Sequence, residues 1–441
     1  MNFDLPELPQ NWSYASLESC SQPNSVTYGV VQPGAALEHG KALIRVNNFR
    51  NTRIDLADVM YISPEIEAKY SRTRLKGGEI LLTIVGSVGQ VAVVSSQFAG
   101  FNVARAVAVI HPLPSVSAEW IALCLRSPLS QHILGSRANT TVQTTINLKD
   151  LRALPIPLPP EPERRAIAEF VGTLDDRIAL LQETNATLEL ITQTLFKSWF
   201  VEFAPVQAKV EGRVPDGMDG ATAALFPDFF QESELGPVPK GWQVLPVGDV
   251  VDSVGGGTPD TTNSSYWNPP LHCWTTPKDL SDITSPVLLN TERKLSDQGI
   301  AKVSSGLLPA GTLLLSSRAP IGYLALTQVP MAINQGYIAL KPGGILPPLY
   351  MLFWCKQNME QIRSRANGST FMEISKKAFR PIPVVVPPSE VVEAFAERAG
   401  ALFEKLSQNE LQVQTLNQLR DTMLPRLMAG QINFPLSSEF Q

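Results

Sequence analysis

Asn268-Pro269-Pro270-Leu271 stops one aromatic ring short of a base-modifying loop. In an Asn-Pro-Pro-Tyr or Asn-Pro-Pro-Phe loop, the Asn side chain and a backbone carbonyl hold an exocyclic amino nitrogen. The ring stacks on a base flipped out of its duplex. Here Leu271 stands where the ring is needed, and no Gly-rich strand-to-helix turn for a methyl-donor cofactor precedes it. Gly255-Gly256-Gly257-Thr258-Pro259 runs into polar residues instead. A Pro-rich turn is the plainer reading. No G-x-x-x-x-G-K-[ST] phosphate loop occurs, and no G-x-S-x-G, H-E-x-x-H or Cys–His cluster. The acidic pair Asp175-Asp176 reads as a solvated helix face. The four cysteines and four histidines are scattered without metal-ligand spacing, which fits a reduced, cytoplasmic setting.

With catalysis set aside, the side chains that remain suit groove contacts. They are Arg45, Asn47, Asn48, Arg50, Arg53, Arg72 and Arg74 in the first half, and Lys278, Ser316, Ser317, Arg318, Asn334 and Gln335 in the second. Arg, Asn and Gln read base edges through paired hydrogen bonds, and Lys and Arg also hold phosphates. For any single one of them a solvated surface role is the commoner fate. Arg137, Arg365, Lys376 and Lys377 fall in corresponding loops and suit phosphate better than bases. The net charge of −5 hides a regional split. Lys41 to Lys76 holds eight basic residues against four acidic ones, and residues 204–240 hold six acidic against three basic. The total argues against nonspecific coating of nucleic acid and leaves local basic faces open.

These residues are positioned by a duplicated chain. Pro159-Pro160-Glu161-Pro162-Glu163 opens a long heptad-like run, and Pro387-Pro388-Ser389-Glu390-Val391 opens another, 228 positions later. In the first run apolar residues fall at Ile167, Phe170, Leu174, Ile178, Leu181, Leu188, Ile191, Leu195 and Phe196, with Asn185 in the seam. In the second they fall at Phe395, Ala399, Leu402, Leu406, Val413, Leu416, Leu419, Met423 and Leu427, with Asn409 in the seam. Steps of three and four over about five heptads fit a coiled coil, in which one buried Asn sets the register. Each run follows a globular stretch with short β-branched strands, such as Ile80–Val85 and Val91–Val94. Helical spacing covers Glu119 to Leu134, and Asn147 and Ser375 suit helix N-caps.

The stretches also echo one another. Leu8-Pro9-Gln10-Asn11-Trp12 pairs with Val238-Pro239-Lys240-Gly241-Trp242. Gly78–Leu82 pairs with Gly311–Leu315, Gly89 with Gly322, Phe101-Asn102 with Ile333-Asn334, and Arg137-Ala138-Asn139 with Arg365-Ala366-Asn367. Between these anchors the stretches diverge, most clearly Cys20–Arg72 against Asp252–Lys294. The expected domains are 1–157, a helical spacer 158–203, a Pro-rich linker 204–240, 241–386 and a second spacer 387–430. No apolar run reaches the roughly 18 residues of a membrane span.

The whole chain resembles the DNA-specificity (S) subunits of type I restriction–modification systems. The likeness rests on the Trp12 and Trp242 turns and on Gly77-Gly78-Glu79-Ile80-Leu81-Leu82. It rests also on Ile156–Pro160, Ile382–Pro388, Leu195–Phe203 and the ending Leu424-Pro425-Arg426-Leu427-Met428-Ala429-Gly430. One departure is that Glu163 and Val391 stand where the family often has Gln. The resemblance implies an α+β fold: two tandem mixed α/β target recognition domains, each followed by a long helix, the two helices pairing as an antiparallel coiled coil. It implies a non-catalytic subunit that reads a bipartite, asymmetric site in double-stranded DNA and docks two methyltransferase subunits and restriction/translocase subunits. S-adenosylmethionine would sit in the methyltransferase, with no cofactor in this chain. The DNA-contacting candidates are then Arg45, Asn47, Arg50, Arg72, Arg74, Arg137, Lys278, Ser317, Arg318, Gln335, Arg365 and Lys376. Two other classes stand beside it: an autonomous adenine methyltransferase using Asn268, and a coiled-coil scaffold with no DNA role. Trp199, Phe200 and Phe203 either meet partner subunits or pack within the chain.

Overall fold

The computed structural model describes residues 5–432, except 51, 138–143, 282, 319 and 369–371. The Ala138-Asn139 part of the echoed tripeptide lies outside the described residues. The chain divides into two units, 1–178 with 415–441, and 179–414.

In the first unit the strand Ile80–Thr83 is buried on both faces. It runs antiparallel to Val91–Val93 and Val107–Ile110, with Thr27–Tyr28 outside the latter. Its entry is a tight turn at Lys76–Glu79. Gly77 and Gly78 take φ of 102° and 87°, which a side chain would resist. The Glu79 carboxylate accepts the Lys76 and Gly77 amides at 2.8 Å each. A second sheet orders Met60–Ile62, Lys41–Ile44 and Asn102–Val103, the last pair parallel. Ser13–Ser16 pairs antiparallel with Pro155–Leu158, so the start and end of the head close on each other. The helix expected over Glu119–Leu134 is two helices, Ala118–Arg126 and Pro128–Arg137. Ser127 between them is extended, because the ring of Pro128 disfavours a helical residue before it.

The second unit repeats this plan. Leu313–Ser316 lies antiparallel between Leu324–Thr327 and Tyr337–Leu340, with Ser253–Val254 at one edge and Val287–Leu288 added in parallel at the other. Arg293–Leu295, His272–Thr275 and Met331–Ile333 form the second sheet, again with one parallel pair. Gln243–Pro246 closes on Pro383–Val386. The plan holds even across the stretches whose sequences diverge most. One sequence echo shifts by two residues. A Cβ on Gly29 would lie 1.9 Å from the Val103 carbonyl oxygen, and one on Gly256 would lie 1.9 Å from that of Ile333. Val103, not Phe101, therefore corresponds to Ile333. A slip of two keeps every strand side chain on its own face, so the pattern of apolar residues does not reveal it.

Residues 204–240 are more ordered than a Pro-rich linker suggests. They hold the helices Ala204–Val210 and Gly220–Ala224 and a hairpin of Phe230–Ser233 with Gly236–Pro239. Val206, Phe226 and Val238 are at most 2% exposed. Each fills the core singly, so they leave no periodicity to read.

The long helices span Glu161–Phe200 and Ser389–Met428, 40 residues each. In the second unit they pair antiparallel: Asn409 donates to Asn185 at 3.0 Å, while Phe196 meets Phe395 at 5.8 Å between centroids. In the first unit Arg420 donates to Asp175 at 2.9 Å, and Ile167 and Val171 share a core with Leu424 and Leu427. The buried seam passes through Asn185, Thr192 and Phe196, and through Leu406, Asn409 and Val413. Ile191 and Leu419, expected in the seam, are instead 48% and 41% exposed. Ile191 is one residue off the seven-residue step from Asn185 to Thr192. Trp199 and Phe200 pack inside the second unit, at 3% and 6% exposure, with Phe203 partly buried against the same core.

Candidate nucleic-acid interface

Each head presents two turns built by the same local bonds. The first follows the middle strand of the smaller sheet. The Arg45 amide donates to Asn48 Oδ1 at 2.8 Å, and the Thr276 amide donates to Asp279 Oδ2 at 2.7 Å. The second follows the central strand of the larger sheet. Thr83 Oγ1 donates to the Ser87 carbonyl at 2.5 Å and accepts the Gln90 amide at 2.9 Å. Ser316 Oγ donates to the Pro320 carbonyl at 2.8 Å and accepts the Tyr323 amide at 2.7 Å. Short polar side chains thus satisfy the turn backbones, and the outward residues are left to vary.

In the first head these turns border an open cleft of about 580 Å³. Arg45, Asn47 and Arg50 line it from one turn, and Val85, Gly86 and Ser87 from the other. Arg45 donates to the Asp58 carbonyl at 3.0 Å and to its carboxylate at 3.1 Å, and Asn47 donates to the same carboxylate at 2.5 Å. Arg50 stands 3.7 Å from Asp55. The other first-head candidates are spread away from this cleft. Arg72 donates to Thr27 Oγ1 at 3.3 Å, and Arg137 pairs with Asp150 at 3.5 Å. Arg74 clasps the buried Glu67 through two bonds of 2.8 and 2.5 Å, in a network with Asn102 and Thr73. Those bonds from Arg74 hold the Glu67 carboxyl below its ordinary pKa. Asn48 is buried in the turn, and Arg53 meets Asp176 at 3.5 Å.

In the second head Lys278 occupies the place of Asn47, and Arg318 that of Val85. Lys278 pairs with Glu292 at 3.3 Å, and Arg318 stands 3.9 Å from Glu373. Ser317 is 2% exposed, held by backbone bonds to Gly336 and Ile374, so its side chain faces inward. Gln335 is exposed and accepts the Thr258 hydroxyl at 2.7 Å. Arg365 ends the helix Met359–Ser364, and Lys376 opens Lys376–Phe379 behind the Ser375 cap; both are exposed. The two-residue slip hid one first-head residue, Arg105, which the bond pattern places opposite Gln335.

Around Asn268 the methyl-transfer reading gains no partner. Leu271 is 53% exposed, and Gly255–Gly257 leads into a loop rather than a helix. Among the described residues no group of three or more His, Cys, Asp or Glu is placed to hold a metal, and no helix is long and apolar enough to cross a membrane.

Two copies of one frame, bearing different side chains on equivalent turns, define a duplicated recognition protein. The family model of the type I restriction modification DNA specificity domain matches residues 38–190 and 239–420, and the chain belongs to that family. It is similar to the type I restriction enzyme HindI specificity subunit of Haemophilus influenzae, 26% identical over 410 residues, covering 82% of this chain and 88% of that protein. It is also similar to the MjaIX specificity subunit of Methanocaldococcus jannaschii, 33% identical over 183 residues, covering 41% of this chain and 42% of that protein. The crystal structure of a type I restriction–modification S subunit from M. genitalium shares the fold. Its TM-score is 0.54 at 16% identity, over 96% of this chain and 98% of that one.

Proposed function

We propose that this chain is the non-catalytic DNA-specificity subunit of a type I restriction–modification complex. It reads a bipartite, asymmetric site in double-stranded DNA, one half with each head. The observation that carries the reading is the repeated pair of turns, the same in backbone and different in outward side chains: Arg45, Asn47 and Arg50 in one head, Lys278 and Arg318 in the other. Equal frames with unequal contacts suit two unrelated half-sites, because phosphate contacts position a protein and base-edge contacts specify the sequence.

The two 40-residue helices, about 60 Å long at 1.5 Å per residue, set the length of the unspecified gap. The chain works in the cytoplasm with two methyltransferase subunits and with restriction/translocase subunits. The methyltransferase supplies S-adenosylmethionine. The test is co-expression with a cognate methyltransferase subunit, followed by genome-wide mapping of methylated adenines. Two short half-sites separated by a fixed gap are expected; a continuous motif refutes the reading. Methylation by the chain alone would support the Asn268 alternative instead.

A further inference from the structure

The strand bonds identify a position shared by the two heads that their sequences conceal. In the first head the Val30 amide donates to the Val103 carbonyl at 2.7 Å, and the Ala104 amide donates to that of Ile44 at 2.9 Å. In the second the Gly257 amide donates to the Ile333 carbonyl, and the Asn334 amide to that of Thr275, both at 3.0 Å. Ala104 and Asn334 therefore correspond, and so do the next residues, Arg105 and Gln335. Both are exposed.

Arg105 sits between Ala104 and Ala106, which line the first-head cleft together with Arg45 and Asn47. Its backbone is fixed, since its amide donates to the Val30 carbonyl at 2.9 Å. Its guanidinium has no hydrogen bond or ion pair among the described residues. The other first-head arginines considered above differ. Arg45 holds Asp58, Arg50 faces Asp55, and Arg74 is closed on Glu67. Those guanidiniums share their donors with a carboxylate, and Arg105 keeps all of its own. At the matching place the Thr258 hydroxyl donates to Gln335 Oε1 and orients the amide. That leaves both Nε2 hydrogens and a second oxygen lone pair available.

We propose that position 105/335 is a base-reading position, at which Arg105 reads a guanine in one half-site and Gln335 reads an adenine in the other. An arginine fork matches guanine O6 and N7, and a glutamine amide matches adenine N6 and N7, in the major groove. The proposal rests on the chain being a DNA-specificity subunit and adds which residue types decide one base in each half.

The test uses the full chain co-expressed with its methyltransferase subunit, with methylated motifs mapped for the wild type, Arg105→Ala, Arg105→Gln and Gln335→Arg. Arg105→Ala relaxes one guanine position in one half-site, with discrimination falling roughly 5- to 150-fold. Arg105→Gln moves that position from guanine to adenine. Gln335→Arg moves one position of the other half-site from adenine to guanine. An unchanged motif in the arginine variants overturns the proposal, as does loss of a whole half-site by an assembled complex. A wild-type complex with no bipartite motif refutes the underlying function before any variant is considered.

Discussion

Ile44 and Val107 belong to one apolar cluster in the first head. At the corresponding places the second head has Thr275 and Tyr337, whose hydroxyls lie 3.1 Å apart. Burial raises the Tyr337 hydroxyl far above its ordinary pKa, so the bond is a neutral one. The first head keeps its buried polarity elsewhere and makes it ionic, in Glu67, Arg74, Asn102 and Thr73. The helix ends contrast in the same way. Phe196, Trp199 and Phe200 pack in the second unit, and 228 positions later Leu424, Leu427 and Met428 pack in the first. The frame is fixed by backbone ladders and by Ser, Thr, Asn and Asp in the turns. The interior that fills it can therefore be aromatic or aliphatic, neutral or ionic.

The largest expected effect probes the helix ends. Trp199→Ala should destabilise the second unit by about 3 to 5 kcal/mol, and Leu427→Ala the first by about 2 to 5 kcal/mol, the costs of truncating buried large side chains. Hydrogen exchange of the Leu313–Ser316 and Ile80–Thr83 amides reports each unit separately. Faster exchange in both units from either change would break the comparison. Next is Glu67→Gln, which removes the ionic acceptor from Arg74 and Asn102 and should cost about 1 to 3 kcal/mol in the first head. Because the folded pKa of Glu67 is lowered, its contribution is full above the ordinary carboxyl pKa of about 4.3 and fades as pH falls through the folded value. Acid unfolding of the Glu67→Gln variant should lack that component, and the second head's acid response should be unchanged.

Asn185→Leu strands the Asn409 amide in the seam and should cost about 1 to 2 kcal/mol; adding Asn409→Leu should recover the loss in melting temperature while loosening register. The smallest effect on stability is Arg318→Ala, below about 0.5 kcal/mol, since its ion pair with Glu373 is half exposed. Its effect on the methylated motif should fall in one half-site only.

The fold was legible wherever period and punctuation repeat. The 228-residue offset, the two long helices and the Asn147 and Ser375 caps all stand as read. What stayed hidden has physical causes. Ser127-Pro128 splits an otherwise helical pattern, and a one-residue offset puts Ile191 outside the seam. Residues 204–240 fold through isolated core contacts that carry no period. At the candidate interface, residue type suggested Arg45, Asn47, Arg50, Lys278, Arg318 and Gln335. It did not distinguish a free arginine from Arg74, committed to a buried carboxylate, or an outward serine from Ser317. Those distinctions depend on contacts between residues far apart in the chain.

The central claim is that one frame carries two independent readers, and exchanging a reader tests it most directly. Residues 243–386 would replace 13–158, joining at the ribbons Gln243–Pro246 with Pro383–Val386 and Ser13–Ser16 with Pro155–Leu158. Methylated bases would then be mapped in cells that also make the methyltransferase subunit. The account predicts a motif whose two halves are both the wild-type second half-site. A folded, assembled chimera that keeps the wild-type first half-site, or yields two new sequences, would contradict it.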